Sequence, residues 1–313
     1  MVYYSMEFRQ LRYFVTVAEE LHFGRAAERL HITQPALSKQ IASLEQELAV
    51  TLLLRTKRRV QLTHAGDVFF TQARQLLAQT NAAIQLTKRT DRGEIGSLAI
   101  GFTATATHTV LPLFLRDFRQ QYPQVEVTLQ ELATEAQVEA LNQNRIALAF
   151  LHPPIAQQGL EVHPIFDENF VAFLPLNHPL SNHDCIPLEA LANEPLIIHP
   201  REEGPVIYDG FIQVCQQDGF QPKIVKESIS LQTRVCLVTA GMGITFTSDR
   251  LQSLVGVDVV CKPLADCPIR LKFAATWRKT ASNPVLRESL KILLDKTLKA
   301  YPIEATVVDT NAQ

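Results

Sequence analysis

Along residues 7–21 the apolar positions Phe8, Leu11, Phe14, Val15, Ala18 and Leu21 return at intervals of three and four, the period of one helical face. This spacing predicts a first helix. A second, shorter helix is predicted over residues 25–30, with Ala26, Ala27 and Leu30 as its apolar side and Phe23 plugging its start. The two small alanines let another helix approach closely. Thr33-Gln34-Pro35 then opens a third helix: Thr33 suits the N-cap, and Pro35 is tolerated in a first turn whose amides have no intrahelical partner. Leu37, Ile41, Leu44 and Leu48 recur at i, i+4, i+7 and i+11, which turns Gln34, Ser38, Lys39, Ala42 and Ser43 to the opposite side. Residues 52–63 read as two short strands around a basic turn holding Arg55, Lys57, Arg58 and Arg59. From Thr63-His64-Ala65-Gly66 a long helix is predicted to about Lys88, with Phe69, Ala73, Leu76, Leu77, Ala83 and Ile84 on one side. Some 25 residues at ~1.5 Å each make a rod near 37 Å long.

The basic, glycine-containing stretch 88–96 ends that helix, and beyond it strands and helices alternate. Strands are predicted over 98–102, 125–132 and 146–151, with helices over 107–121 and 135–142, the pattern of a doubly wound α/β unit with a parallel sheet. A second set follows: strands at 170–174, 195–199, 223–227 and 243–247, and helices near 208–217 and 231–239. Residues 269–277 are again strand-like, and 284–300 form an amphipathic helix.

The 313 residues exceed one ordinary core and suggest two or three units. With 46% hydrophobic and 20% charged residues the chain reads as globular, and no apolar run approaches the ~18 residues of a membrane span. Its start lacks a basic patch followed by an apolar segment, so the expected location is the cytoplasm. Cys185, Cys215, Cys236, Cys261 and Cys267 form no C-x-x-C and are odd in number, which argues for free thiols over a disulfide framework or a zinc site. The net charge of −2 conceals an asymmetry. Residues 1–92 carry 13 Lys and Arg against 8 Asp and Glu, net +5, whereas the other 221 carry 17 against 24, net −7. A polyanion-binding end joined to a more acidic module fits this division.

A helix inserted in a major groove needs short side chains for close approach, and amides or hydroxyls that reach base edges. Gln34, Ser38 and Lys39 supply them, and two helices joined by a tight turn form a helix-turn-helix. The cations of the adjoining turn suit phosphate or minor-groove contact, so the two short strands read as a wing. Nothing in this end is large enough to cover the long helix, whose stripe of Phe69, Ala73, Leu76, Leu77 and Ile84 is best used by a second copy of the chain. In the second module, ligands are expected outside the carboxyl ends of the strands. There lie the hydroxyl-rich 103–108 segment, ahead of a helix; Thr134, opening the next helix; and His152-Pro153-Pro154, ending the third strand.

Signatures of enzymes are missing: G-x-S-x-G, H-E-x-x-H and the phosphate-binding loop do not occur, and Gly241-x-Gly243 lacks a third glycine. Glu202-Glu203 reads as a solvated pair rather than a catalytic dyad. No cofactor and no metal site is expected. Two rivals stay open: an enzyme on a solute-binding-protein-like fold, which would leave the helix-turn-helix unexplained, and a redox sensor using Cys261 or Cys267, which have no thiolate-stabilising neighbour beyond Lys262.

Met6-Glu7-Phe8-Arg9-Gln10-Leu11-Arg12-Tyr13-Phe14, Ala26-Ala27, Thr33-Gln34-Pro35-Ala36-Leu37-Ser38-Lys39-Gln40-Ile41, Leu44-Glu45, Arg55 and Leu62-Thr63-His64-Ala65-Gly66 together resemble the N-terminal winged helix of LysR-type transcriptional regulators. The likeness runs in register over about sixty residues, and length and two-part organisation extend it over the chain. It aligns Met6 with the usual family start, leaving residues 1–5 as an extension. Two departures are visible: Ala49 stands where the family usually has glycine, and Leu53-Leu54 replace an aromatic-acidic pair.

The resemblance implies a mainly α winged helix-turn-helix domain over 6–64, a linker and dimerisation helix over 65–92, and an α/β periplasmic-binding-protein-like effector domain over 93–313. That domain would comprise one subdomain at about 93–166 and 270–300 and a second at about 167–269, hinged by two crossing segments. Thr33, Gln34, Pro35, Ser38, Lys39, Arg55, Lys57, Arg58 and Arg59 would then meet double-stranded DNA at an interrupted dyad. Thr103, Thr105, Thr134 and His152, with Glu203 and Pro205 of the 200–205 loop and Gln232 on the following helix, would face a small organic effector, a carboxylate by expectation. His152 stands near where aromatic-acid-responsive members have an arginine, which leaves the expected site without a strong carboxylate clamp. The 152–154 and 200–205 elements are most similar to the branch of acetoin-synthesis and aromatic-catabolism regulators. A dimer or dimer of dimers, with RNA polymerase as a further partner, and no catalysis complete the expectation.

Overall fold

The protein is described by a computed structural model over residues 6–301, apart from 57, 58, 157, 266 and 268. Lys57, Arg58, the 1–5 extension and the end of the expected effector domain therefore lie outside the described residues. The chain divides into two units, residues up to 89 and residues from 90.

In the first unit, helices α1 (Phe8–Glu20), α2 (Phe23–Leu30) and α3 (Gln34–Leu48) precede an antiparallel ribbon of β1 (Leu53–Arg55) and β2 (Val60–Leu62), and α4 (His64–Asp91) follows. Their apolar stripes converge on Phe14, Val17, Ala26, Leu37, Ile41 and Leu44, all buried. Helix α2 starts two residues earlier than its apolar pattern predicts. The His22 side chain accepts from the amides of Gly24 and Arg25, at 3.1 and 3.2 Å, and so caps it. At the start of α4, Thr63 Oγ1 accepts from the Gly66 amide at 2.9 Å and donates to the Thr51 carbonyl at 2.8 Å. A Cβ at Gly66 would collide with the carbonyl of Leu52, so this helix can lie on the ribbon only with glycine there.

The stripe on α4 corrects an expectation. Phe69 packs on Phe14 with ring centroids 5.2 Å apart, Leu77 joins the same core and Ala73 is fully buried in it. The first half of the stripe therefore packs on the core of its own unit. Leu76 and Ile84 remain 44% and 45% exposed.

The second unit begins with β3 (Gly96–Phe102), α5 (Ala104–His108), α6 (Val110–Gln121), β4 (Val125–Glu131), α7 (Thr134–Asn142) and β5 (Leu148–Leu151). The helix predicted over 107–121 is thus two helices, broken at Thr109 with φ −126° and ψ −101°. Next come β6 (Leu160–Pro175), β7 (Pro195–Ile198), α8 (Pro205–Gln217), β8 (Lys223–Glu227), α9 (Leu231–Thr239), β9 (Ile244–Ser248), β10 (Val259–Pro263), β11 (Arg270–Arg278) and α10 (Pro284–Ile292). The final predicted helix passes into a π turn at Leu293–Thr297 and a 3-10 turn at Leu298–Ala300.

The strands form one sheet in the order β4-β3-β5-β11-β6-β9-β7-β8, with β10 also on β6. Parallel pairing, as predicted, holds among β4, β3 and β5 and among β8, β7 and β9. The sheet as a whole is mixed, since β6 and β11 run antiparallel to each other and to their neighbours. Strand β6 has 16 residues, against the five predicted at 170–174, because it serves two hydrophobic cores in succession. Ile165 and Phe166 lie in the first; Phe170, Ala172 and Leu174 lie in the second.

Ala49 caps α3 in the left-handed region, at φ 52° and ψ 32°. A side chain costs roughly 1 kcal/mol there, which glycine avoids. Ala49→Gly should stabilise the N-terminal unit by about 1 kcal/mol, less the added freedom of its unfolded chain. A later N-terminal transition in thermal unfolding, with the C-terminal transition unmoved, is the expected result.

Candidate functional site

The outward side of α3 is as the pattern predicts. Thr33, Gln34, Pro35 and Lys39 are exposed and Ser38 is half-buried, opposite the fully buried Leu37, Ile41 and Leu44. Thr33 occupies the N-cap without a side-chain hydrogen bond, which leaves its hydroxyl free of the helix. Arg59 is exposed on the basic turn. Arg55 is held within its own unit. Its Nη2 donates to Glu45 at 2.6 Å and its guanidinium lies 4.9 Å from the centre of the Phe23 ring. Glu45 also accepts from the amides of Leu52 and Leu53 at 2.8 and 3.0 Å, so this pair ties the ribbon to α3.

In the second unit the carboxyl ends of β3, β4 and β5 face α8, α9 and the 199–203 loop across a cleft of about 650 Å³. Six of the seven expected effector residues line it: Thr103, Thr105, Thr134, His152, Glu203 and Gln232. Pro205 does not; it opens the first turn of α8. Local structure joins the loops, since the His152 amide donates to Thr134 Oγ1 at 3.4 Å and the Thr103 amide to the Phe150 carbonyl at 3.1 Å. Phe170, Ile207, Leu231, Phe246 and Leu271 supply apolar walls.

Three lining groups were not singled out from the sequence. Arg234 on α9 is 5% exposed; its Nη1 donates to the Ser228 carbonyl at 3.0 Å and its Nε has no partner. Burial pushes its pKa down to about 10, so it stays cationic at neutral pH. Glu168 on β6 is fully buried, one oxygen 3.3 Å from His152 Nε2 and the other, Oε2, without a partner. His199, beside the Arg234 cation, is held below the ordinary histidine range chiefly by burial, so its imidazole is neutral at pH 7. The Thr103 hydroxyl is also buried without a partner. Arg234 places a cation on the side of the cleft away from His152, a group that the reading of the 152–154 segment did not include. One Arg within LQTRVCLVT, two positions after Gln232, was the available signal.

Among the described residues no group of three or more His, Cys, Asp or Glu could hold a metal, and no helix is long and apolar enough to cross a membrane. Burial pushes the Cys215 thiol up to about 12 and Cys261 to about 11, and it raises Cys267 as well. Such thiols carry little thiolate at neutral pH, which counts against a redox role for Cys261 and Cys267.

Residues 8–67 match the description "Bacterial regulatory helix-turn-helix protein, lysR family", and residues 91–297 match "LysR substrate binding domain". The chain belongs to the LysR family of transcriptional regulators. Among LysR relatives, the transcriptional regulator AlsR of Bacillus subtilis is 41% identical over 287 residues, covering 92% of this chain and 95% of its own. BudR of Raoultella terrigena is 33% identical over 92% of this chain and all of its own. The crystal structure of the LysR-family regulator CbnR superposes with a TM-score of 0.79 at 27% identity, over 92% of this chain and 100% of that one. CbnR is also known bound to its target DNA, and that structure gives the same TM-score at 26% identity over 94% of this chain and 100% of that one. These relatives are named as regulators rather than enzymes, and the two family matches divide the chain into a helix-turn-helix domain that contains α3 and a substrate-binding domain that contains the cleft.

Gln34→Ala should cost about 1–3 kcal/mol on the specific operator and leave nonspecific binding intact. Equal losses on both DNAs would reject base reading by this residue. Arg59→Ala should lower the log–log salt slope of binding by about 0.9 per lost phosphate contact, and an unchanged slope would exclude the turn from the phosphates.

Proposed function

We propose that this LysR-type regulator acts in the cytoplasm and binds an interrupted-dyad operator as a dimer or dimer of dimers. Its effector is a small organic carboxylate held across the cleft of the C-terminal unit. The observation that carries the effector class is Arg234. A buried guanidinium with one hydrogen bond to a carbonyl and a free Nε has an unmet demand for an anion, and the cleft is where one can reach it. Thr103, Thr105 and Thr134 add hydroxyls on the facing side. Dimerisation rests on Leu76 and Ile84, which remain exposed on α4 after Phe69, Ala73 and Leu77 have been used within the unit. Two reading helices must share one two-fold site, and a self-complementary helix face gives that symmetry. RNA polymerase is a further partner on this reading.

Calorimetry against acetate, longer aliphatic acids and aromatic acids should find a binder whose affinity falls about tenfold or more in Arg234→Gln and declines in Thr105→Val, with DNA binding of both variants retained. Unchanged affinity in Arg234→Gln, or chemical turnover of the ligand, would reject the proposal. Leu76→Glu with Ile84→Glu should shift the protein toward monomer in sedimentation and remove high-affinity operator binding. An intact dimer in that double variant would place the interface elsewhere. Phe69→Glu is unsuitable, since Phe69 packs on Phe14 and its loss would damage the unit itself.

A further inference from the structure

Glu168 makes a second demand on whatever enters the cleft. It is 0% exposed, and its Oε2 has no hydrogen-bond partner, while Oε1 lies 3.3 Å from His152 Nε2. The residue faces the cleft between Phe166 and Phe170 on one side of β6, with Leu271 opposite it on β11. A buried carboxylate oxygen in such apolar company is costly unless a donor reaches it. An acid with only an apolar remainder would answer Arg234 and leave Oε2 empty.

We infer that the effector carries a hydroxyl or ammonium group in addition to its carboxylate, and that Glu168 accepts from this group while Arg234 holds the carboxylate. The inference rests on the carboxylate reading given above and narrows it to hydroxy or amino acids. Glu168 and Arg234 line the same cleft of about 650 Å³. The Thr103 hydroxyl, also buried and unpartnered, lines the same cleft and can accept or donate there.

Matched acids test this: glycolate with acetate, lactate and β-alanine with propionate, γ-aminobutyrate with butyrate, and hydroxybenzoates with benzoate, each titrated into the full-length protein by calorimetry. In at least one pair the donor-bearing acid should bind about tenfold or more tighter, the value of one hydrogen bond to a charged group. Glu168→Met, and the isosteric Glu168→Gln to a smaller extent, should bring that ratio toward one and leave the donor-free acid within about twofold of its wild-type affinity, whereas Arg234→Gln should weaken both members alike. Carboxylates that bind wild type without preference in any pair, or a preference that survives both Glu168 variants, would overturn the inference and leave the carboxylate reading standing. Binding unaffected by Arg234→Gln, or no binding across the panel, would overturn that reading and this inference with it. An absent wild-type preference overturns the inference even if the Glu168 variants fail to fold.

Discussion

Along β6 the side chains of one face are Phe166, Glu168, Phe170, Ala172 and Leu174, every second residue of a strand, and all are buried. Phe166 belongs to one hydrophobic core, stacked on Phe273 at 5.0 Å; Phe170, Ala172 and Leu174 belong to the other. The seam between the cores falls at Glu168. Nine residue pairs of register between β6 and β11, from Arg270↔Asn169 to Arg278↔Leu160, fix this crossing in place. A one-residue slip would turn Glu168 out of the cleft and expose the phenylalanines on either side of it. The two hydrophobic cores, the cleft beside their seam and the position of its Glu168 wall therefore depend on one pairing.

That geometry sets the electrostatics. Glu168 is carried by the shared strand and Arg234 by α9 on the far side, so opposite charges meet the cleft from different elements, and the structure pairs neither fully. Buried charges left in this state favour any arrangement that supplies partners. His199 is neutral at pH 7 and does not add to the positive side, which leaves the charge pattern of the cleft to a few groups with fixed places in the fold.

The N-terminal unit was legible almost in full, because its helices are short, strongly amphipathic and bounded by local signals such as Pro35 and the Thr63 cap. What sequence reasoning missed there was tertiary. The packing of Phe69, Ala73 and Leu77 on the core of their own unit, and the tying of Arg55 to Glu45 and Phe23, depend on residues far apart in the chain. In the second unit the alternation located most elements, and of the seven lining residues that the family resemblance implied, six line the cleft. Strand β10 and the first ten residues of β6 were missed, since HPIFDEN interrupts its apolar run with Pro164, Asp167 and Glu168. Yet those interruptions held the signal. An acidic residue at an inward position between phenylalanines, and an arginine inside an apolar helix, both mark a lining of buried charge, but the inward phase of each shows only when the partner strand or helix is known.

On the proposed function, coupling between ligand and DNA has to come from the same constraint. A ligand shifts an equilibrium only by its difference in affinity for the two states. A molecule bound by one set of strand ends alone has no reason to prefer one spacing of the two sets over another. Thr103, Thr105, Thr134 and His152 stand at the strand ends of the first set, whereas Arg234, Glu203 and Gln232 come from the second. A ligand that touches both therefore gains contacts only at the spacing that lets both reach it, and β6 and β11 are the strands that join the two sets. Reciprocity then requires that whatever the protein does on DNA that favours this spacing also raises its affinity for the ligand.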